Sequence, residues 1–178
     1  PEGTTEIGAG AFEKCSALKT LSIPSTVSVV GSSAMPLPVF SFETGLRGLP
    51  ATYSATGCSI VASCLALEEI TVASGNPYFT VYNGAFCAKD NSGNITQVLT
   101  VPARANIQGG SFVVPATVTY INSAAFACNE SLVSCTFENG FTATASTFGE
   151  AVFYFCSSLT SLTLPSGMSS MPNRFVAG

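Results

Sequence analysis

The sequence predicts a β-rich α/β solenoid: a right-handed coil of about seven short repeats, with a parallel β-sheet on one face and turns or short 3₁₀ or helical segments elsewhere. Three observations predict it. A phrase at Ile7-Gly8 with Ala11-Phe12 returns at Val30-Gly31 with Ala34-Met35, a period of 23 residues. A second phrase spaces a cysteine, several aliphatic residues and a proline at fixed intervals, as in Cys15, Leu18, Leu21, Ile23 and Pro24. Neither phrase fits a helical period or plain strand alternation, so the repeat itself must be the structural unit.

Taken in chain order, each part of the repeat has a physical reading. The Ile-Gly-x-x-Ala-Phe phrase, seen again at Ile121 with Ala125-Phe126 and at Phe148-Gly149 with Phe153, turns the chain and places an aromatic ring in the coil. A short helical or 3₁₀ turn then carries the cysteine inward. Leu21-x-Ile23, Ile70-x-Val72 and Leu162-x-Leu164 alternate in and out and read as short strands. A looser copy runs Cys128, Leu132, Cys135 and Phe137, with one extra residue after the cysteine. Pro24, Pro115 and Pro165 stop the strands, and each opens a third phrase, Pro24-x2-Val27-x2-Val30 and its echoes. One coil cannot bury its apolar face alone, whereas stacked coils share a continuous core.

The phrases "AFEKCSALKTLSIPSTVSVVG" and "FVVPATVTYINSAAFACNESL" resemble the BspA-like class of leucine-rich repeats, whose unit is about 23 residues long. The stretch "ITVASGNPYFTVYNGAFCAKDNSGNITQVLTVP" is similar to a longer variant of that unit with an extra strand. We expect one leucine-rich-repeat solenoid domain over residues 1–178, with a distorted or inserted coil at 36–60 and the variant unit at 70–115. The resemblance implies a surface-exposed or secreted protein acting in attachment and protein–protein contact.

Composition narrows the chemistry. Residues are 47% hydrophobic and only 9% charged, so Ser, Thr, Asn, Ala and Gly must make up much of the surface. The six basic residues, Lys14, Lys19, Arg47, Lys89, Arg104 and Arg174, are scattered and the net charge is −4, which argues against nucleic acid as a partner. Histidine is absent, which removes Ser-His-Asp and Cys-His catalysis and the commonest zinc sites. No run of about 18 apolar residues is present to span a bilayer. Residues 1–20 lack signal-peptide features, so an exported protein would have lost its signal already.

We therefore expect no enzyme activity, no catalytic residues, no metal site and no cofactor. Seven cysteines, an odd number, leave at least one unpaired within the chain. Cys15, Cys64, Cys128 and Cys156 share one phase and are expected to fill a small buried apolar slot, with Cys135 also in the core. Cys58 and Cys87 are off that phase and are the better disulfide candidates, with Cys64 as a further partner. Glu68-Glu69 reads as a solvated edge, and "KDNSGN", with Asp90, Asn91 and Asn94, reads as a polar hairpin turn more readily than as a calcium loop. Asn94 and Asn129 head glycosylation acceptor triplets.

Outward strand residues make the working surface of a solenoid. Ser22, Thr71, Thr136 and Thr163 lie between core aliphatics, with Thr100 or Val113 joining them according to which of strands 98–101 and 111–114 belongs to the main sheet. Gly48 would hold this place in the distorted coil, and Thr20, Glu69, Ser134 and Ser161 flank the row. Ser and Thr suit exposed strand positions in any case. Functionally, such a ladder docks a protein or glycan surface outside the cell, or, as a distant alternative, orders water as ice binders do. The ends, at Pro1 and in "MPNRFVAG", read as uncapped, which suggests an excised piece or chains that stack head to tail into a filament.

Overall fold

A computed structural model of the chain describes residues 1–31, 60–61, 63–144 and 146–178. The strands are β1 (Glu6–Ile7), β2 (Thr20–Ile23), β3 (Val29–Val30), β4 (Glu69–Val72), β5 (Phe79–Tyr82), β6 (Ala85–Lys89), β7 (Ile95–Thr100), β8 (Ser111–Val114), β9 (Tyr120–Ile121), β10 (Ser134–Phe137) and β11 (Ser161–Leu162). The chain winds as a β-solenoid, and its strands fall into two rows.

The front row holds the parallel pair β2–β4 and the parallel triplet β8–β10–β11. Alternation sets its two faces: on β8, Phe112 and Val114 are buried while Ser111 and Val113 are exposed. The back row pairs β1 with β3, Ile7 opposite Val30, and β7 with β9, Val98 opposite Ile121, with Phe148 bridging onto Ile121. Ile7 opposite Val30 is the 23-residue period seen in the sequence. Between β4 and β8 the coil departs from the simple repeat. Here β5, β6 and β7 form an antiparallel meander that joins the back row through β9.

The expected helical segments are not present: the described residues contain a single 3₁₀ turn, Gln108–Gly110. The reason lies in the backbone. Residues in the left-handed region recur in pairs four apart, at Gly10 and Lys14, Ala124 and Cys128, and Ala151 and Phe155. A left-handed residue in every turn forbids a helix. It builds a string of tight turns instead, in which the Ala125, Ala127 and Asn129 amides each donate to the carbonyl three residues back. The intervening amides, of Ala124, Phe126 and Cys128, donate to Glu150, Val152 and Tyr154 of the next coil at 2.8–2.9 Å. Every second donor thus holds a coil together, and the others hold coil to coil.

An aromatic column fills the C-terminal core. Tyr82 meets Phe112 edge-on at 5.5 Å, Phe112 meets Phe126 at 4.9 Å, Phe126 stacks on Phe153 at 5.1 Å, and Phe153 meets Phe175 at 5.3 Å. Each ring comes from a successive part of the chain, so the column runs along the solenoid axis. A second core, around Ile23, Val27, Leu67, Ile70 and Phe86, fills the N-terminal coils.

Candidate binding face and its supporting slots

Within each front block the register brings predicted face residues side by side. Ser22 stands opposite Thr71, and their hydroxyls lie 2.9 Å apart in a hydrogen bond. Thr20 stands opposite Glu69. In the second block Val113 stands opposite Thr136, and the Thr163 amide donates to the Cys135 carbonyl at 3.0 Å, which carries the row one residue beyond β11. Beside it runs an unbroken row of serines, Ser111, Ser134 and Ser161. Ser111 was open to prediction, since it precedes Phe112 as Ser134 precedes Cys135.

Of the two candidate strands, 111–114 is the one in the front sheet, so Val113 holds the rung. Thr100 does not belong to the face. It pairs antiparallel with Phe86 and is only 5% exposed, because β7 has turned toward the back row. Gly48 lies outside the described residues.

β5 fills the interval between the two blocks. It packs against β4, and its far end is tied to β8 by the Tyr82 hydroxyl donating to Val113 O at 3.1 Å and Asn83 Nδ2 donating to Ser111 O at 2.9 Å. A shallow cleft of about 420 Å³ opens there, with Glu69, Thr71, Thr80, Val81 and Lys89 on its walls. It is where the otherwise flat face acquires relief, one negative and one positive side chain, and the 40% exposed Val81.

Behind the face, a recurring slot keys each coil to the one before it. Cys64 Sγ donates to Phe12 O at 2.9 Å and receives the Cys15 backbone amide. Cys156 Sγ donates to Phe126 O at 3.1 Å and receives the Asn129 amide. The residue matching Cys15 in the third such turn is therefore Asn129, with Leu132 following as Leu18 follows Cys15. Cys128 stands one place earlier, in the left-handed position shared with Lys14, Ser63 and Phe155.

Asn129 is fully buried and does more than a thiol can. Its Nδ2 donates to Pro102 O at 2.8 Å and Ala105 O at 3.3 Å, and its Oδ1 accepts from the Ser131 and Leu132 amides and the Ser131 hydroxyl. Asn76 repeats the arrangement at another corner, donating to Pro24 O and Val27 O, both at 2.9 Å. A glycan on Asn129 is incompatible with this fold, since the amide nitrogen is enclosed and both its donors are used. Asn94 is exposed in the turn joining β6 to β7, where its amide and side chain donate to the Asp90 carboxylate. Those bonds, with Asn94 first, hold the Asp90 carboxyl below its usual range.

The cysteine expectations need two corrections. Cys15 is exposed, not in the core, and Cys128 and Cys156 are half-buried. Cys87 carries no disulfide and neither does Cys64: Cys87 is fully enclosed on β6, out of reach of an oxidant. Cys58 lies outside the described residues. Burial pushes the Cys87, Cys135 and Cys156 thiols up to about 12 and Cys128 to about 11. These thiols hold their protons in the fold and release them near 9.0 when unfolded. Stability is thus fully present below pH 9 and falls as pH rises above it. Native protein treated with iodoacetamide at pH 8 is expected to be alkylated at Cys15 first, with Cys87 and Cys135 protected until denaturant is added, as read by peptide mass spectrometry.

Glu68 pairs with Lys19 at 3.4 Å and both are solvated, which fits an edge and not an acid–base pair. No group of three or more His, Cys, Asp or Glu among the described residues is placed to hold a metal. No helix among them is long and apolar enough to cross a membrane.

Stacked short coils, parallel strand rows and slot residues that cap the turns of the preceding coil define a leucine-rich-repeat solenoid. The chain belongs to the BspA-type leucine-rich repeat family, whose sequence profile matches in six copies over residues 1–101 and 103–177. That makes about six coils where the sequence suggested about seven. Three solved structures share the fold: a leucine-rich cell surface protein from Faecalibacterium prausnitzii (20% identity, TM-score 0.68), the pneumococcal vaccine antigen PcpA (21%, 0.66) and a leucine-rich repeat protein from Eubacterium ventriosum (19%, 0.55). The alignments cover 100%, 92% and 91% of this chain but only 44%, 31% and 40% of those chains, respectively. Comparison with curated proteins gives no match.

Proposed function

We propose that the chain is a non-catalytic binding domain that presents its front face to a protein or glycan surface, at the cell surface or in the extracellular matrix. The observation that carries this reading is the in-register pair of rows on the front sheet: Ser111–Ser134–Ser161 beside Val113–Thr136, continued across the β5 cleft by Thr71 and Ser22. Rungs about 4.8 Å apart give a flat, rigid array of small hydroxyls whose strand backbones are already ordered, so docking costs little conformational entropy. Hydroxyls with an adjacent apolar spot at Val113 and Val81 suit the mixed polar and apolar surface of a folded protein or a glycan. The cleft, with Glu69 and Lys89, supplies an orienting contact.

Location outside the cell is supported by the family and by the F. prausnitzii relative in fold, which is described as a cell surface protein. The first test is to present the purified chain to an array of immobilised glycans and a panel of extracellular-matrix proteins. Thr71→Lys, Thr136→Lys and Thr163→Lys are expected each to weaken the binding found by about tenfold, the equivalent of about 1.4 kcal/mol. Equal binding by all three would move the site off the front face.

A further inference from the structure

Each coil-to-coil slot described above joins one side chain to the backbone of the preceding coil, but at the first of them both slot residues are cysteines. The β2–β4 register sets Thr20 opposite Glu69 and Leu21 opposite Ile70, and the same step carries Cys15 onto Cys64. The register is kept between slot and strand, since Lys19 O accepts from the Glu68 and Glu69 amides and the Phe12 amide donates to Ile60 O at 3.0 Å. Phe12 O accepts both the Cys64 thiol, at 2.9 Å, and the Cys15 amide, at 3.3 Å, so the Cys64 sulfur sits against the Cys15 backbone. Rungs of a parallel stack lie about 4.8 Å apart, inside the window of about 4.4–6.8 Å that a disulfide requires between Cα atoms.

We propose that Cys15 and Cys64 form a thiol–disulfide modification site, closed into an inter-coil disulfide by exchange with a low-molecular-weight disulfide such as oxidised glutathione. The other described cysteines are not placed for this. Cys128 is in rung with Phe155, Cys156 with Asn129, Cys135 with Phe112 and Leu162, and Cys87 with Thr80 and Val98. Cys15 is exposed to reagents in solvent, whereas Cys64 is buried with its sulfur on Phe12 O and against the Cys15 amide.

The roles follow from this asymmetry. The Cys15 thiolate attacks a sulfur of oxidised glutathione, forming a mixed disulfide and releasing one glutathione thiol. Cys64 gives its proton to solvent, attacks the Cys15 sulfur and releases the second glutathione thiol. Two electrons pass from the protein to the reagent, and no other oxidant is needed. Burial raises the Cys64 thiol above its ordinary range, so the second step quickens as pH rises. The bond closes a loop spanning residues 15 to 64 and clamps together the coils on either side of it.

The test uses the full 178-residue chain, incubated with oxidised glutathione at pH 8.5, digested without reduction and mapped by mass spectrometry. A Cys15–Cys64 linked peptide is expected, together with a rise in Tm of about 5–15 °C that dithiothreitol reverses. Cys58→Ser should keep the link and Cys15→Ser, an exposed site that leaves the core untouched, should abolish it. A stable glutathione adduct on Cys15 with Cys64 still a thiol, or a link from Cys15 to Cys58, would overturn the proposal.

Discussion

Asn129→Ala is expected to destabilise the chain by about 3–5 kcal/mol, a larger effect than that of any surface substitution. The side chain donates twice, to the carbonyls of Pro102 and Ala105, and accepts three times, from the Ser131 and Leu132 amides and the Ser131 hydroxyl, all in a site with no exposure. Pro102 O keeps the Ala105 amide and Ala105 O keeps the Ser131 hydroxyl, but alanine takes the acceptor from the Ser131 and Leu132 amides, each loss costing about 1–3 kcal/mol. Asn129→Asp keeps the shape and the acceptors but loses both donors and places a carboxylate against two carbonyls, so it too should be strongly destabilised at neutral pH. Asn91→Ala, on the exposed β6–β7 turn, should change stability by less than about 0.5 kcal/mol. Urea unfolding followed by circular dichroism gives all three values; an Asn129→Ala midpoint equal to that of the parent would remove the slot from the account of stability.

Gly149→Ala should be nearly as damaging, at about 3 kcal/mol, for a different reason. Gly149 lies between two coils, its amide donating to Ile121 O at 2.8 Å. A Cβ there would run into the Ser123 nitrogen and stand 2.7 Å from Ser123 Cα, and backbone cannot move aside as a flexible side-chain tip can. The coils must separate, which strains the Ala124-to-Glu150 bond at 2.9 Å and the Glu150-to-Ser123 Oγ bond at 3.1 Å. Gly8 holds the same place in the first repeat phrase, yet a Cβ there meets none of the described residues within 4 Å. Gly8→Ala should therefore be neutral or slightly stabilising. Thermal melts of the two variants separate close approach from turn formation as the reason for the glycine: equal losses in both would point to turn formation.

The repeat period and the slot residue were both legible in the sequence. Spacing gave the back-row partner of Ile7 as Val30 and, on the front, Thr71 as the partner of Ser22, because period and alternation are set by residues whose burial is strongly favoured. It also held the true slot residue: Asn129-x2-Leu132 has the interval of Cys15-x2-Leu18 without any insertion. The nearby cysteine drew the reading one residue out of phase, although a buried asparagine is as good a slot residue as a thiol when carbonyls converge on it. The left-handed positions carry no local signal in the sequence: Cys128 and Phe155 are held in that conformation by amides that donate to Tyr154 O and Ala177 O of adjacent coils. Thr100 and Val113 were equivalent by alternation alone, and the choice between them was made by the long-range pairing of β7 with β6.

The front-face assignment is tested most directly by adhesion to whichever glycan or matrix protein captures the parent chain. One variant carries Thr71→Lys, Val113→Lys and Thr136→Lys together, and a second carries Asn91→Lys on the exposed β6–β7 turn, outside the residues that line the cleft. The first should lose at least about a hundredfold in affinity, at least about 2.7 kcal/mol, with its Tm unchanged, and the second should bind as the parent does. Full binding by the triple variant, or equal losses in both, would contradict the assignment.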